Sequence, residues 1–259
     1  MSILDSVQTG RVHRPPRVLI YGPPGVGKST FAAGAPAPLI FDVEGRTEHL
    51  DVDRLPPEAF ADTDEDSGWD RLIDAMRDLV RAARKEDLKY KTIVFDTIDR
   101  MEQLVFDHLC AEHDVDQVDE VLGGYGKWVQ ATIDQLKRFL AGVEAMRRAG
   151  LQPIILGHSQ IKKMTPPDQL DYDVYTLKMN MKVAKFVIEQ MDVVGFARFD
   201  DVVRKAKKGE TKAKVVSTNK RVLHLQREAA FEAKGGIEMP AKIELDWSQF
   251  EDAINQARR

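Results

Sequence analysis

Cysteine is almost absent from this sequence: of its 259 residues, only Cys110 is one. A single cysteine excludes an internal disulfide bond and suits a reducing compartment. Long apolar runs are also missing, since no stretch approaches the roughly 20 residues that a helix needs to cross a bilayer. Residues 1–17 lack the apolar core and small residues of a secretory signal. We therefore expect a cytoplasmic protein that makes no contact with a membrane.

The sequence also lacks a strong bias of charge. Its formal net charge is −4, which argues against a nucleic-acid-binding surface that is basic throughout. Basic residues are nevertheless concentrated in residues 204–234, which hold ten Lys or Arg against three Glu. Such a patch can steer an anionic partner. It can equally be a solvated β-hairpin with lysines on an exposed strand, and the sequence leaves both interpretations open.

Short apolar runs alternate with amphipathic segments in the first two thirds of the chain. Runs typical of buried strands cover residues 17–21, 38–43, 92–96 and 151–157. Helical spacing of apolar residues and helix-ending signals predict helices over 28–33, 69–84, 101–112 and 127–149. This alternation predicts an α/β fold with a mostly parallel central sheet covered by helices on both faces.

The pattern changes after residue 159. We expect a long loop over 161–181, in addition to an exposed loop over 54–67, and a helix over 183–191. Antiparallel strands are predicted over 193–199, 202–206, 213–217 and 222–226, with residues 207–210 as a hairpin tip. The predicted organisation is an N-terminal extension over 1–16, one domain over 17–246 and a terminal helix over 247–259.

A phosphate-binding motif is the strongest signal in the sequence. Residues 22–29 read GPPGVGKS and match G-x-x-x-x-G-K-S/T between a predicted strand and a predicted helix. In this motif backbone N–H groups surround nucleotide phosphates, the lysine reaches the β- and γ-phosphates, and the hydroxyl ligates Mg²⁺. We therefore predict ATP and Mg²⁺ as cofactors, although a tight turn could carry the same letters. The predicted nucleotide-binding residues are Gly22, Pro23, Pro24, Gly25, Val26, Gly27, Lys28, Ser29 and Thr30.

Such a loop needs a carboxylate at the end of a neighbouring buried strand to hold the magnesium ion. Asp96, which closes the run IVFD, meets this requirement. An unpaired carboxylate at the tip of a buried strand has no structural use, because removing it from water is costly. We predict that Ser29 and Asp96 hold the metal. The alternative is that Asp96 caps the helix that follows.

With these residues placed, the chain resembles RecA-like P-loop ATPases, and among them the phage-encoded AAA-type nucleotide-binding proteins related to single-strand annealing recombinases. The resemblance covers residues 17–245 and includes the segment FDVEG at 41–45. It implies that Glu44 is the general base that polarises the attacking water from a strand beside the phosphate loop. The alternative for Glu44 is an exposed loop residue. If the chain is phage-encoded, its location would be the host cytoplasm.

Two further segments carry the resemblance. The run LGHSQ at 156–160 stands where RecA-like proteins place a polar sensor of the γ-phosphate, which implies His158 or Gln160 in that role. Residues 231–240 resemble a late segment in which a basic residue approaches the nucleotide of a neighbouring subunit. Lys234 is the implied trans-acting group, with Lys220 and Arg221 as alternatives. The family also forms rings or filaments, so we expect a homo-oligomer.

The resemblance implies single-stranded DNA as a partner. In RecA-like recombinases the loops after the third and fourth strands line a DNA channel, and residues 120–128 and 161–181 are the matching stretches. Aromatic residues interleaved with lysines suit single strands, because bases stack on rings and lysines meet phosphates. Candidates are Tyr125, Lys127, Trp128, Lys162, Lys163, Tyr172, Tyr175 and Lys178. The competing hypothesis is a nucleotide-gated assembly or loading factor without DNA contact. A small-molecule kinase is disfavoured, because no Arg-rich lid is apparent.

Overall fold

A large, twisted sheet organises the molecule. The structure is a computed structural model. It describes residues 3–7, 9–10, 13–165, 170–204, 214–216, 218–235 and 239–257. Its strands are β1 Val18–Gly22, β2 Pro38–Asp42, β3 Asp53–Leu55, β4 Thr92–Asp96, β5 Gln152–Met164, β6 Tyr172–Leu177, β7 Val193–Phe199, β8 Val202–Arg204, β9 Lys214–Val216, β10 Arg221–His224 and β11 Lys242–Glu244. Its α-helices are α1 Lys28–Ala33, α2 Gly68–Arg84, α3 Ile98–His113, α4 Trp128–Arg148, α5 Met181–Gln190 and α6 Trp247–Ala257.

The strand order confirms the predicted fold class. It runs β11-β10-β7-β1-β5-β4-β2-β3, and β6 pairs with β5 off this path. The strands from β3 to β7 in this order pair in parallel, whereas β10 and β11 add antiparallel strands at one edge. The predictions that Asp96 and Glu44 come from strands beside that of the phosphate loop are wrong: β5 lies between β1 and β4, and both β5 and β4 lie between β1 and β2. Strands that are consecutive in sequence need not be neighbours in a doubly wound sheet.

Both faces of the sheet are covered, as the apolar strands predict. Along β1, Leu19 and Tyr21 point into one core and Val18 and Ile20 into the other, because successive strand residues face opposite sides. The first core receives α2, α3, α4 and α5, and the second receives α1 and α6. The terminal helix therefore packs against the helix that follows the phosphate loop.

Two predicted loops contain regular structure. The prediction of a long loop over 161–181 is wrong: β5 continues to Met164 and forms a hairpin with β6, from the pair Ser159 and Leu177 to the pair Met164 and Tyr172. Residues 166–169, between these two strands in the sequence, lie outside the described part. In the predicted loop over 54–67, β3 is followed by a 3₁₀ helix, Pro57–Phe60. Phe60 is buried and stacks on Phe41, with ring centroids 5.6 Å apart.

The late strands occur close to their predicted positions. Strand β7 spans the predicted residues 193–199, and β8, β9 and β10 overlap the other predicted strands. However, β8 and β9 do not extend the main sheet but form a separate two-stranded sheet. The predicted hairpin tip at 207–210 lies outside the described residues. Strand β11 was not predicted, because its three residues carry no distinct apolar pattern.

Candidate functional site

The phosphate loop connects β1 to α1 and depends on glycine at two kinds of position. Gly27 has a φ of 101°, in the left-handed region that side chains with a Cβ avoid. Gly22 is needed for space instead, because a Cβ there would lie 2.2 Å from the carbonyl oxygen of Ala197. The loop residues Pro24, Gly25, Gly27, Lys28, Ser29 and Thr30 line a cavity of ≈ 370 Å³. Val26 is wholly buried and its side chain anchors the loop in the core.

Lys28 lies at the floor of this cavity. Its Nζ donates hydrogen bonds to the carbonyl oxygens of Gly22, at 3.1 Å, and Pro23, at 3.2 Å. Burial lowers the pKa of the Lys28 ammonium, and the charges of Asp96, Asp99 and Glu44 partly oppose that shift. A phosphate group in the cavity would add negative charge and would favour the ammonium further. Lys28 is therefore placed for its predicted role.

Ser29 and Asp96 form a pair beside Lys28. The Ser29 hydroxyl donates to a carboxylate oxygen of Asp96 over 2.5 Å. Burial raises the pKa of Asp96 to about 6, and the bond from Ser29 opposes this while the charges of Glu44 and Asp42 add to it. Asp96 does not cap the following helix, because the N-cap of α3 is Thr97.

The pair has the chemistry of a magnesium site. Mg²⁺ prefers hard oxygen ligands and commonly takes one or two from protein, with the remainder from phosphates and water. A hydroxyl and a buried carboxylate with neighbouring negative charge match that donor set. Within the described residues, no group of three or more His, Cys, Asp or Glu side chains could hold a metal by itself. The site therefore fits an ion that is shared with nucleotide phosphates.

Glu44 lines the same cavity from the loop that follows β2. Its backbone N–H donates to the carbonyl oxygen of Asp96 at 3.3 Å, and its carboxylate pairs with Arg46 at 3.2 Å. Buried Asp42 holds this loop. Its two carboxylate oxygens accept hydrogen bonds from the backbone N–H groups of residues 45, 46 and 47 and from the hydroxyl of Thr47. The first acidic residue of the segment FDVEG, Asp42, thus positions the second, Glu44.

His158 also lines the cavity, whereas Gln160 does not. Nδ1 of the His158 ring donates to one carboxylate oxygen of Asp99 at 2.9 Å, and the backbone N–H of His158 donates to the other oxygen at 2.9 Å. These bonds hold the pKa of Asp99 below its usual value although burial acts to raise it. The opposite ring nitrogen, Nε2, lies 4.0 Å from Glu44. The amide of Gln160 donates instead to the carbonyl oxygens of Leu177 and Met179.

Asp99 is a site residue that sequence reasoning missed. It follows Asp96 by three residues, in the first turn of α3, and its spacing gave no sign of contact with His158. The signal that could have found it is parallel pairing of β4 and β5, which brings Asp96 opposite Leu156. That register places the start of α3 beside residue 158.

Of the basic residues predicted to act on a neighbouring subunit, Arg221 lies in the cavity of its own chain. A Cβ on Gly27 would come within 2.9 Å of its guanidinium. Within the described residues this guanidinium has no ion-pair partner, and it lies over the ring of Phe199 at 5.9 Å. Lys234 is engaged elsewhere, because its Nζ donates to the carbonyl oxygen of Met191 at 2.6 Å. Lys220 is exposed and does not line the cavity.

The residues predicted to contact DNA fall into two groups. Trp128 packs edge-on against Phe106, with centroids 5.6 Å apart, and Tyr175 packs on Phe196 at 5.2 Å, so both rings are structural. Tyr125 is instead 100% exposed. Lys163 pairs with Asp171 at 2.7 Å. Among the residues predicted to contact DNA, those at exposed positions of the β5–β6 hairpin and in the loop around Tyr125 are accessible to a partner.

The fold and this site together define a P-loop ATPase-type domain. A sequence model of the family described as AAA domain matches residues 14–236, and the chain belongs to that family. Members of this family are generally ATPases, so the match supports nucleotide binding by the loop described above. A comparison with curated proteins gave no match. In the part of the chain that the structure describes, every helix is too short or too polar to cross a membrane.

Proposed function

We propose that this protein is a Mg²⁺-dependent ATPase. The observation that carries the proposal is the convergence of Lys28, the Ser29–Asp96 pair and Glu44 on one cavity. These groups come from three separate places, the start of α1, the end of β4 and the loop after β2, so a simple turn would not bring them together. Parallel sheets place their ligands at the carboxyl ends of the strands, where this cavity lies.

The residues divide the work of hydrolysis. Lys28 and Arg221 offset the negative charge of the phosphates, which grows on the leaving group during transfer. Ser29 and Asp96 would hold Mg²⁺, which supplies neutralising charge to the phosphate oxygens. Glu44, fixed by the loop that Asp42 supports, orients a water molecule for attack. His158, held by Asp99, would hydrogen-bond the terminal phosphate.

The test is phosphate release from ATP with and without Mg²⁺, compared between the wild type and Lys28→Ala. We expect turnover that requires Mg²⁺ and falls at least about 100-fold in the variant, because charge stabilisation is the largest part of catalysis in such sites. Lys182→Ala, at an exposed lysine that does not line the cavity, is the matched control. Undiminished nucleotide binding and turnover in Lys28→Ala would refute the proposal.

We further propose that ATP controls binding of single-stranded DNA, in phage recombination or replication, through a ring or filament of this chain. The resemblance to annealing-related phage proteins supports this proposal, and so do fully exposed Tyr125 and half-buried Lys162, which a strand could reach. Turnover and DNA affinity are measured with and without an oligonucleotide. A rate that DNA leaves unchanged, together with absent binding, would remove the recombination role.

The alternative of a nucleotide-gated assembly factor is favoured by one observation. Leu122 and Tyr125 are exposed, 49% and 100%, on a loop that follows the acidic residues Asp119 and Glu120. An apolar, acidic surface suits a protein partner better than a nucleic acid. This alternative predicts nucleotide-dependent oligomers in light scattering and indifference to DNA. Leu122→Ser with Tyr125→Ser should then abolish assembly while DNA has no effect on turnover.

A further inference from the structure

A second cavity adjoins the phosphate cavity. It has a volume of ≈ 450 Å³ and shares Gly27, Thr30 and Arg221 with the first. Its remaining wall is formed by the outer side of α1 and by residues 245–251, at the start of α6. Volumes of this size are typical of small-molecule sites. One elongated ligand can therefore occupy both cavities, passing Gly27 and Arg221.

This second cavity is held in place by packing between α1 and α6. The ring of Phe31 lies 5.6 Å from that of Trp247 and 5.5 Å from that of Phe250. The backbone N–H of Leu245 donates to the carbonyl oxygen of Arg221 at 2.9 Å, which fixes the chain before α6 beside β10. The wall is thus defined without a ligand.

The lining combines apolar surface with free hydrogen-bonding groups. Phe31, Pro36 and Leu245 supply apolar surface. Asp246 is occupied, because one carboxylate oxygen accepts hydrogen bonds from the Ser248 hydroxyl and the Gln249 backbone. By contrast, the carboxylate of Glu251 has neither a hydrogen bond nor an ion pair in the described part of the chain.

We propose that the second cavity binds the nucleoside of the nucleotide whose phosphates lie at Lys28, and that Glu251 accepts a hydrogen bond from it. The inference rests on the proposed function. A nucleoside triphosphate joins a polyphosphate to a partly apolar group that carries hydroxyl and amino donors, which is the chemistry that the two connected cavities offer. Glu251 is then a specificity residue at the nucleoside, separate from the groups that act on the phosphates.

The experiment compares the affinities of ATP and inorganic tripolyphosphate, which lacks the nucleoside, for the full chain. We expect the wild type to bind ATP at least about tenfold more tightly. Glu251→Gln and Glu251→Ala should weaken ATP about tenfold, because a hydrogen bond to a charged acceptor is lost, and should leave tripolyphosphate unchanged. Asp252→Asn, at an exposed carboxylate that does not line the cavity, is the matched control. Glu251 is exposed, so these variants are expected to fold.

Two analogues identify the donor. If Glu251 accepts from the ribose 2′-hydroxyl, 2′-deoxyATP should bind the wild type weakly, and Glu251→Ala should not weaken its binding further. If Glu251 accepts from the amino group of the base, the triphosphate of purine riboside should bind the wild type weakly, and Glu251→Ala should not weaken its binding further. Equal affinity of ATP and tripolyphosphate, or Glu251 variants that bind ATP normally, would overturn the inference while the ATPase proposal stands. Absence of binding by either compound would overturn both.

Discussion

The two adjoining cavities differ in how their polar groups are held. In the phosphate cavity, Asp96 is bonded to Ser29 and His158 to Asp99 before any ligand arrives. In the neighbouring cavity, Glu251 lacks a hydrogen-bond or ion-pair partner among the described residues, as does the side chain of Arg221. Asp96 and His158 are thus fixed within the fold, whereas Glu251 and Arg221 remain free to bind the ligand. Preorganised groups need no rearrangement during reaction, which is where electrostatic catalysis gains most.

The largest expected effect comes from breaking the chemistry of the phosphate cavity at Glu44. Glu44→Gln should lower ATP turnover about 100- to 10,000-fold, because a general base typically contributes that much. ATP affinity should stay within about threefold of the wild type, since the amide retains the shape of the carboxylate. Single-turnover phosphate release and equilibrium binding provide the two numbers.

Glu48→Gln is the control for this prediction, because Glu48 is exposed and does not line the cavity. A Glu44→Gln variant with normal turnover would assign water activation to another residue. His158 would then be the first candidate, as it lies 4.0 Å from Glu44.

A second prediction tests whether the fixed character of the site depends on Asp42. Asp42→Asn should lower the free energy of unfolding by about 2 kcal/mol, because an amide cannot accept all the bonds that the carboxylate accepts and leaves a buried donor unpaired. Turnover should fall as well, since the loop that carries Glu44 loses its support. Chemical denaturation gives the first quantity, and Asp51→Asn on the exposed part of the same segment gives the baseline. Unchanged stability would show that the loop is held by other contacts.

The third prediction concerns Arg221, where the two cavities meet. Arg221→Ala should weaken ATP binding about tenfold, because a charge-assisted hydrogen bond to phosphate is lost. Arg227→Ala, at an exposed arginine outside both cavities, is the matched control.

Mixing two variants shows whether Arg221 acts on the nucleotide of its own chain or on that of a neighbouring chain. If Arg221 binds the nucleotide of its own chain, an equal mixture of Arg221→Ala and Lys28→Ala proteins should show no more ATPase activity than the average of the two variants measured separately. Recovery of activity in the mixture would instead support the trans-acting role that the sequence suggested.

The sequence predicted the phosphate cavity better than its neighbour for a physical reason. The phosphate loop and Asp96 lie in short segments whose spacing is set by one strand, turn or helix, so local patterns indicate them. Glu44 is implied only by the resemblance of FDVEG to a RecA-like segment. The bond between Asp99 and His158 and the approach of Arg221 to Gly27 depend on strand order and on packing between distant segments. The nucleoside wall depends on how α6 docks on α1 through aromatic contacts, and a terminal amphipathic pattern does not specify its partner. The hairpin of β5 and β6 escaped prediction because polar residues and prolines at 161–181 resemble a loop.

A last comparison concerns two buried carboxylates on successive elements. Asp96 is bonded to Ser29 and has a role in the proposed chemistry, whereas Glu102 in α3 has none. Glu102 is 7% exposed, and one of its oxygens has no hydrogen-bond partner. Burial raises the pKa of Glu102 to about 7; a bond from the backbone N–H of Asn180 opposes this shift, and the charge of Asp99 adds to it.

The sign of the pH dependence follows from this shift. Because the pKa is higher in the folded protein than the unfolded value of 4.5, the protonated acid is favoured on folding. Its contribution to stability is complete below pH 4.5 and is lost as the pH rises through about 7. Glu102→Gln removes the titration. The free energy of unfolding of the Glu102→Gln variant minus that of the wild type should therefore rise by roughly 1–3 kcal/mol between pH 5 and pH 8. Urea denaturation at several pH values measures this difference. Asp107→Asn, exposed on the same helix, should show no such rise, and a flat difference for Glu102→Gln would mean that Glu102 ionises normally in the folded chain.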